Sequence, residues 1–573
     1  MLGIKDSQYG ALLIVATLLG AVMSGLYVVG VGNAVWWFLG PLAVSILFSI
    51  LLTKDRVGSV GTGSLRQNWS ILVLLPAICC VISLGRLTIQ RELLPVLDLG
   101  TLVLMTVFLA LTCSGLVSYL LRLPLLSFPM LFLGVTFLFT LSPLILYRLE
   151  GFDAFKYWHV VDIESVMQAM PLVMLAFSSF LVGALFSAIT TNSKGYPKNA
   201  GRIIHTHSDT LRKVGILLYL LSVSIVVVLS LRGGALSLAY QGGYRGFAGT
   251  RKAGDMPRIV TASLSWFLPW SLLILTATSQ NRRAYVRTLL MALPACGLMF
   301  LSGDRAAPLA LILLLASGSY LLGFPIDWKR TLIVIALVAL LVPTIVNLRG
   351  IPIREWSVDV VFKAVTNQVE GKRYDQDPLS ATLTSTSTSY QTLMGTVMFV
   401  PVTDSYRYGL DYVIAMASAI PFAGTLFSLL GIDLSQDDPS NWVKSRLNPD
   451  ALAGTGYLQV AEAYLEFGPF GVICLYAILG AALTRLWWYL QLGDLDSRKL
   501  VFALISMIGV LTWVRNDAGV FMRTLLYGWM IAYGIPAAAG ALRRLGVRLE
   551  SRQRLAPRHR PIIRWFAVVF FRR

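Results

Sequence analysis

Long apolar runs recur along almost the whole chain, and they are continuous rather than alternating. A helix needs about 20 apolar residues to cross the hydrocarbon core of a membrane, whereas barrel strands would alternate. The pattern predicts an all-α polytopic membrane protein with about fourteen transmembrane helices. The predicted spans are residues 10–31, 34–53, 69–87, 99–121, 124–147, 168–190, 212–231, 259–279, 285–302, 306–325, 330–348, 466–489, 499–514 and 519–541.

The positions of Lys and Arg set the predicted orientation, because basic residues in short connections favour the cytoplasmic side. One set of alternate connections carries such residues, among them Lys54, Arg122, Lys213 and Arg283. The segment after residue 541 holds ten Arg. We therefore predict a bacterial inner-membrane protein with both termini in the cytoplasm and a basic tail, residues 542–573, on anionic lipid.

A single membrane-embedded domain is predicted over residues 1–541, with its long connections on the opposite, periplasmic face. These connections are residues 148–167, 232–258 and 349–465. The apolar stretch 408–431 in the last of them is interrupted by Pro421. We predict two short half-helices there, which dip into the membrane and return or lie at its interface.

The composition agrees with a membrane protein and reduces the number of plausible binding partners. The chain is 56% hydrophobic and only 13% charged, whereas a soluble protein carries about 25% charged residues. The formal charge of +19 would suggest nucleic acid in a soluble protein. Here the charge follows the connections, so we predict the lipid bilayer as a partner and no nucleic acid. The five cysteines lie in apolar runs and form neither a disulfide framework nor a zinc pattern.

Several arginines lie on the predicted periplasmic face, where the charge rule disfavours them. Guanidinium groups bind phosphate and carboxylate oxygens in a bidentate way, which suits a lipid-linked diphosphate or an acidic sugar. The alternative is that each of them only snorkels to lipid headgroups. Tyr244 lies in a glycine-rich stretch that fits a sugar-binding loop or a flexible connector. The candidate arginines are Arg232, Arg245, Arg251, Arg305, Arg407, Arg515 and Arg523, with Asn516 beside one of them.

A second motif runs from Gly454 to Gly471 and leads directly into an apolar span. Its Glu462 and Glu466 are i,i+4 neighbours on one helical face. A carboxylate in such a setting could accept a proton from a sugar hydroxyl, which makes Glu462 the candidate general base. The alternative is an interfacial helix whose acids pair with arginines. Tyr464 is a second candidate stacking face, and Asp304 is a candidate for orienting Arg305.

The sequence lacks the motifs that are typical of nucleotide-binding and metal-dependent enzymes. There is no phosphate-binding P-loop and no dinucleotide fingerprint. The chain has four His, and no predicted periplasmic cluster of His, Asp and Glu suits a divalent metal. We therefore predict no metal and no cofactor.

The combined pattern resembles the O-antigen polysaccharide polymerases of the Wzy type. The resemblance rests on the basic glycine-rich stretch, on Gly303-Asp304-Arg305, on the long late connection, on the Gly454–Gly471 motif and on Arg515-Asn516. It implies a helical bundle of the GT-C type and a glycosyltransferase that needs no nucleotide sugar or metal. Such enzymes move the growing glycan from undecaprenyl diphosphate to the distal sugar of a new lipid-linked repeat unit. A chain-length regulator and a flippase are candidate partners.

Three other functions stay open. An O-antigen ligase is expected to use a histidine in its long periplasmic loop, and residues 349–465 contain none. A flippase or other transporter usually keeps its functional charges at mid-membrane and has short loops. A non-enzymatic assembly partner would tolerate changes at single Arg or Glu residues.

Overall fold

The computed structural model describes ten long stretches and a few short or single positions between them. The predicted spans at 10–31, 34–53 and 330–348 lie outside the described residues, and the one at 69–87 is described only at separate positions. The long stretches are residues 99–150, 163–191, 208–232, 258–301, 306–324, 357–365, 389–420, 439–447, 456–492 and 495–542.

Seven helices of the described residues precede the long late connection, and their bounds follow the predicted spans closely. In α5 a π-helical turn at Ser263–Phe267 joins two α-helical pieces. The helices are α1 (Leu99–Leu121), α2 (Phe128–Glu150), α3 (Ile163–Thr190), α4 (Ser208–Arg232), α5 (Arg258–Ala262 with Leu268–Ala277), α6 (Arg282–Leu301) and α7 (Ala306–Leu321).

The long late connection is more structured than its low content of apolar runs indicates. It contains α8 (Val358–Val365), α9 (Tyr390–Phe399), α10 (Leu410–Ala419) and α11 (Pro439–Leu447). Tyr390 and Leu393 of α9 are fully buried, so this helix packs into the body of the protein. Helix α10 occupies the place of the first predicted half-helix, while the segment after it is described only at single positions.

Three helices complete the described chain: α12 (Gln459–Leu492), α13 (Ser497–Trp513) and α14 (Ala518–Trp529), which continues through a π-helical turn at Met530–Gly534. Six helices of the described residues are long and apolar enough to cross a membrane. A polytopic helical membrane protein is thus confirmed, while the number of about fourteen spans and the GT-C likeness stay predictions.

Helix α3 lies at the centre of the bundle. In its most apolar stretch 78% of the residues are buried, against 22% for α4, whose exposed leucines suit contact with lipid. Helix α3 packs most extensively against α12, and the two backbones touch. A Cβ atom on Gly480 would overlap the carbonyl oxygen of Phe180, and one on Gly183 would overlap that of Ala477. Small residues at a helix crossing allow such close packing in membranes, where the hydrophobic effect does not drive association.

Contacts between connecting segments show which of these segments lie at the same end of the bundle. A short parallel ladder pairs Ile203 and Ile204 with Leu495 and Asp496, and it joins two connections that were both predicted to be cytoplasmic. At the other end of α13, the N–H of Tyr457 donates to the carbonyl oxygen of Arg515 at 2.8 Å. This bond joins two connections that were both predicted to be periplasmic. The grouping agrees with the predicted topology, and the assignment of each end to a side of the membrane stays a prediction.

We expect Gly480→Ala to destabilise the protein by about 1–3 kcal/mol, because the added methyl group must push α12 away from α3. The melting temperature of the purified protein in detergent measures this effect. Gly134→Ala is the matched control, since nothing lies within 4 Å of a Cβ atom built there. Equal melting temperatures for the two variants would contradict the backbone contact.

Candidate functional site

The site is built around a break in α12. Phe467 (φ −138°, ψ 19°) and Gly468 (φ 64°, ψ −151°) leave helical geometry, and Pro469 begins the next segment. Only glycine adopts the conformation of Gly468 without strain, and a Cβ atom there would lie 3.0 Å from the ring of Tyr406. The break separates a short first segment, residues 459–466, from the long apolar segment that follows.

Glu462 lies in the first segment with only 1% of its surface exposed. Its Oε2 accepts a hydrogen bond from the indole Nε1 of Trp513 at 2.6 Å, and its Oε1 accepts one from the backbone N–H of Ala518 at 2.9 Å. Ala518 is the first residue of α14, where a helix leaves its N–H groups without partners and favours negative charge. The carboxylate therefore fixes the turn between α13 and α14, and it does so through neutral donors rather than through an arginine.

Glu466 lies one helical turn further along and is fully buried. It accepts a hydrogen bond from the backbone N–H of Gly409, and its carboxyl group lies close enough to that of Asp411 for the two to interact. Two ionised carboxylates in one buried site repel each other, so this arrangement favours a proton on one of them. Asp411 in turn pairs with Arg407 at 2.7 Å. The three side chains thus form a buried cluster in which one arginine faces two acids.

The backbone of residues 407–409 is tied to the same helix end. The N–H of Arg407 donates to the carbonyl oxygen of Leu465 at 3.1 Å, and that of Tyr408 donates to the carbonyl oxygen of Glu466 at 2.9 Å. Tyr408 (φ 51°) and Gly409 (φ 89°) both have left-handed conformations, which is rare for a tyrosine. Because the turn is held at several points, Tyr408 projects outwards with 73% of its surface exposed.

Tyr464 is buried rather than presented at a surface. Only 3% of it is exposed, and its hydroxyl group donates to the carbonyl oxygen of Val400 at 3.3 Å. The ring of Tyr406 meets it edge-on at 5.9 Å and also meets Tyr408 at 6.4 Å. The stacking role predicted for Tyr464 remains a prediction. Beside it, Tyr406 is half-buried and Tyr408 is exposed.

Two candidate arginines flank the turn that Glu462 holds. The guanidinium group of Arg515 lies 5.5 Å from the ring centre of Phe139, and that of Arg523 lies 5.3 Å from the ring centre of Trp266. Arg523 also donates from Nε to the carbonyl oxygen of Gly519 at 2.9 Å. Aromatic faces hold a guanidinium group without neutralising its charge, so these two ring contacts restrict the side chains but do not themselves compensate their charge.

The remaining candidate residues make fewer contacts with the site around Glu462. Asn516 donates to the carbonyl oxygen of Thr512 at 2.7 Å, which stabilises the end of α13, and Arg232 is exposed at the end of α4. Glu462, Arg515 and Asn516 are therefore brought together. Tyr464 lies on the same first segment of α12 as Glu462, and Arg407 contacts the end of that segment through the carbonyl oxygen of Leu465. Five candidates lie outside the described residues: Tyr244, Arg245, Arg251, Asp304 and Arg305.

Sequence reasoning did not select Asp411, Trp513 or Tyr406. Arg407 and Asp411 have the i,i+4 spacing of a helical ion pair, so that contact could have been found. The contact between Trp513 and Glu462 joins residues 51 positions apart and leaves no local pattern. Within the stretches that the structure covers, no group of three His, Cys, Asp or Glu side chains could hold a metal ion.

Glu466→Gln should preserve the buried cluster, because its amide oxygen can accept from Gly409 and its NH₂ group can donate to Asp411. Glu466→Leu removes both interactions, and each buried group left without a partner costs about 1–3 kcal/mol. We expect the melting temperature to change little for Gln and to fall by several degrees for Leu. Glu164→Leu, at an exposed acid of α3, is the control. Equal losses for Gln and Leu would contradict a proton shared between Glu466 and Asp411.

Comparison with known proteins gives the family of the chain. Residues 75–537 match the family model described as O-antigen polysaccharide polymerase Wzy. No curated protein and no solved structure shows significant similarity to the chain. The match covers most of the chain, including every described helix of the site. The protein therefore belongs to the Wzy family of O-antigen polysaccharide polymerases, and an O-antigen repeat-unit polymerase role follows from that membership.

Proposed function

We propose that this polymerase transfers a growing glycan from polyprenyl diphosphate to the distal sugar of a new lipid-linked repeat unit. In this reaction the bond between the anomeric carbon and the diphosphate oxygen breaks. A glycosidic bond to the acceptor oxygen forms, the acceptor proton goes to a base, and polyprenyl diphosphate leaves. Family membership supports the polymerisation, while the lipid carrier, the periplasmic side and the assignment of residues are part of the proposal.

The leaving diphosphate needs fixed positive charge, and Arg515 and Arg523 are the described candidates to supply it. Preorganised cations aimed at developing negative charge are a large source of rate enhancement. The rings of Phe139 and Trp266 hold the two guanidinium groups in place, as described above. Arg245, Arg251 and Arg305 are proposed to act with them on phosphate or acidic sugars.

Glu462 is proposed as the general base. A carboxylate has about four acceptor positions, and Trp513 and Ala518 occupy two of them. The remaining positions can accept the proton of a sugar hydroxyl that enters beside it. The observation that carries the proposal is that this one carboxylate fixes the turn bearing Arg515 and Asn516. The proposed base, Glu462, and Arg515, which is proposed to bind the diphosphate, thereby keep a constant relative position.

Arg523→Ala should reduce chain extension about 100- to 1000-fold, the usual effect of losing a group that stabilises transition-state charge. Arg523→Lys keeps the charge but loses the planar fork, so we expect an intermediate defect. The length distribution of surface glycan on a gel measures both. Arg283→Ala is the control, because Arg283 is exposed at the opposite end of the bundle. A normal ladder from the Arg523→Ala variant would remove this residue from the site.

Glu462→Gln and Arg305→Ala should each abolish chain extension while the protein still inserts and accumulates. Glutamine keeps one acceptor oxygen for the turn but cannot take up a proton, and losing a general base costs about 100- to 10,000-fold. Accumulation is measured by immunoblot of membranes, and extension by the glycan ladder. If either variant gave a full ladder, the role of that residue would be rejected.

The reaction class is tested with a deletion strain and with purified protein. A polymerase deletion should leave a single capped repeat unit, whereas loss of all capped glycan would indicate a ligase or a flippase. Purified protein mixed with lipid-linked repeat units should elongate them without other proteins. Failure to elongate in a preparation that remains folded would contradict the proposed reaction.

A further inference from the structure

The first segment of α12 carries a buried polar stripe. Gln459, Glu462 and Glu466 have the spacing i, i+3 and i+7, which places them on one face of the helix. Gln459 and Glu466 have no exposed surface, and Glu462 has 1%. Such a row of polar groups in a buried segment is costly unless each group has a hydrogen-bond partner.

Gln459 differs from the two acids because its side chain lacks partners. Neither its Nε2 nor its Oε1 has a hydrogen-bond partner within the described chain. Its backbone is nevertheless fixed, since its N–H donates to the carbonyl oxygen of Val514 at 3.2 Å, in the turn that Glu462 holds. A buried amide without partners costs about 1–3 kcal/mol, so a firmly placed one indicates that a partner comes from outside these residues.

Two tyrosine hydroxyl groups near Glu462 are in the same situation. The ring of Tyr412 meets Trp513, the side chain that donates to Glu462, edge-on at 6.5 Å, and its hydroxyl lies near Glu462 and Glu466. The hydroxyl groups of Tyr412 and Tyr476 are both buried and, like the amide of Gln459, have no hydrogen-bond partner among the described residues. Tyr476 also lies near Glu462. Three groups that can each donate and accept are thus found in the neighbourhood of one carboxylate.

We propose that Gln459, with Tyr412 and Tyr476, forms a subsite that binds hydroxyl groups of the acceptor sugar beside Glu462. The inference rests on the proposed function, because it takes Glu462 as the base. A base that is 1% exposed acts only if the hydroxyl enters the buried stripe. A sugar hydroxyl both donates and accepts, as an amide and a phenol do, so the entering sugar satisfies the groups that the protein leaves without partners.

This subsite predicts that stability and acceptor binding change in opposite directions. Gln459→Met keeps the length of the side chain and removes both polar groups. The variant should melt at the same temperature or higher, because an unpaired buried amide is lost. Its KM for the acceptor should rise about tenfold, as expected for one lost hydrogen bond of about 1.4 kcal/mol. Tyr412→Phe should behave in the same way.

Thr484→Val is the matched control. Thr484 is also fully buried, and its hydroxyl also lacks a partner in the described part of the protein, but it lies about six helical turns from Glu462 along α12. This variant should gain stability without a change in KM for the acceptor. An equal rise in KM for Thr484→Val and Gln459→Met would show a general effect of core changes and would overturn the subsite.

Binding is measured separately from turnover, by the thermal shift that soluble repeat-unit oligosaccharide gives with the purified full-length protein. We expect a shift for the wild type and a smaller one for Gln459→Met, with Gln459→Leu as a second variant. Equal shifts overturn the inference, as does a large loss of stability in both variants, which would show that the amide has a structural partner. Wild-type protein that binds the oligosaccharide without elongating lipid-linked units would reject the proposed reaction and leave the subsite standing. Wild-type protein that does not bind it would overturn the subsite.

Discussion

The hydrogen bonds of the Glu462 carboxylate are the constraint on which the site depends. They connect the beginning of α12 to the end of α13 and the beginning of α14, which lie 51 and 56 residues further along the chain. Burial strengthens these bonds because water does not compete for the acceptor, and the same burial makes their loss costly. The turn that carries Arg515 and Asn516 therefore has one favoured position relative to the acid. In an enzyme that joins a phosphate-bearing donor to a hydroxyl acceptor, this arrangement holds the proposed cation, Arg515, at a fixed distance from the proposed base, Glu462.

The break after Glu466 explains how polar chemistry is accommodated at the edge of a membrane bundle. If α12 were continuous, the polar segment 459–466 would extend in the same direction as the apolar segment 469–492. Gly468 instead lets the chain change direction, and the turn at residues 407–409 caps the freed carbonyl groups of Leu465 and Glu466. The backbone is thus satisfied internally, as a low-dielectric environment requires. The buried acids lie on the short segment, where they are separated from the lipid-facing surface of the longer one.

The sequence predicted the helices whose apolar runs are long and uninterrupted. Leu99–Leu121 was predicted with the observed bounds, because no charged residue and no proline interrupts the run. The beginning of α12 was predicted at residue 466 and is observed at Gln459. The reason is that Gln459, Glu462 and Glu466 resemble a solvated surface when their partners are unknown. Those partners are Trp513, Ala518, Gly409 and Asp411, which only the tertiary fold brings near. The same limit applies to α9, whose burial follows from packing against membrane helices rather than from its own composition.

Aromatic support explains how arginines can be both fixed and reactive at this site. An arginine paired with a carboxylate is well placed but electrically neutralised, as Arg407 is beside Asp411. An arginine in open water keeps its charge but loses rotamer freedom when it binds, which costs about 2 kcal/mol. Arg523 avoids both penalties, because the ring of Trp266 restricts its guanidinium group without compensating its charge. The two kinds of contact therefore indicate different roles for these arginines. Arg407 belongs to the buried cluster that shapes the turn, whereas Arg523 retains the charge that a diphosphate would meet.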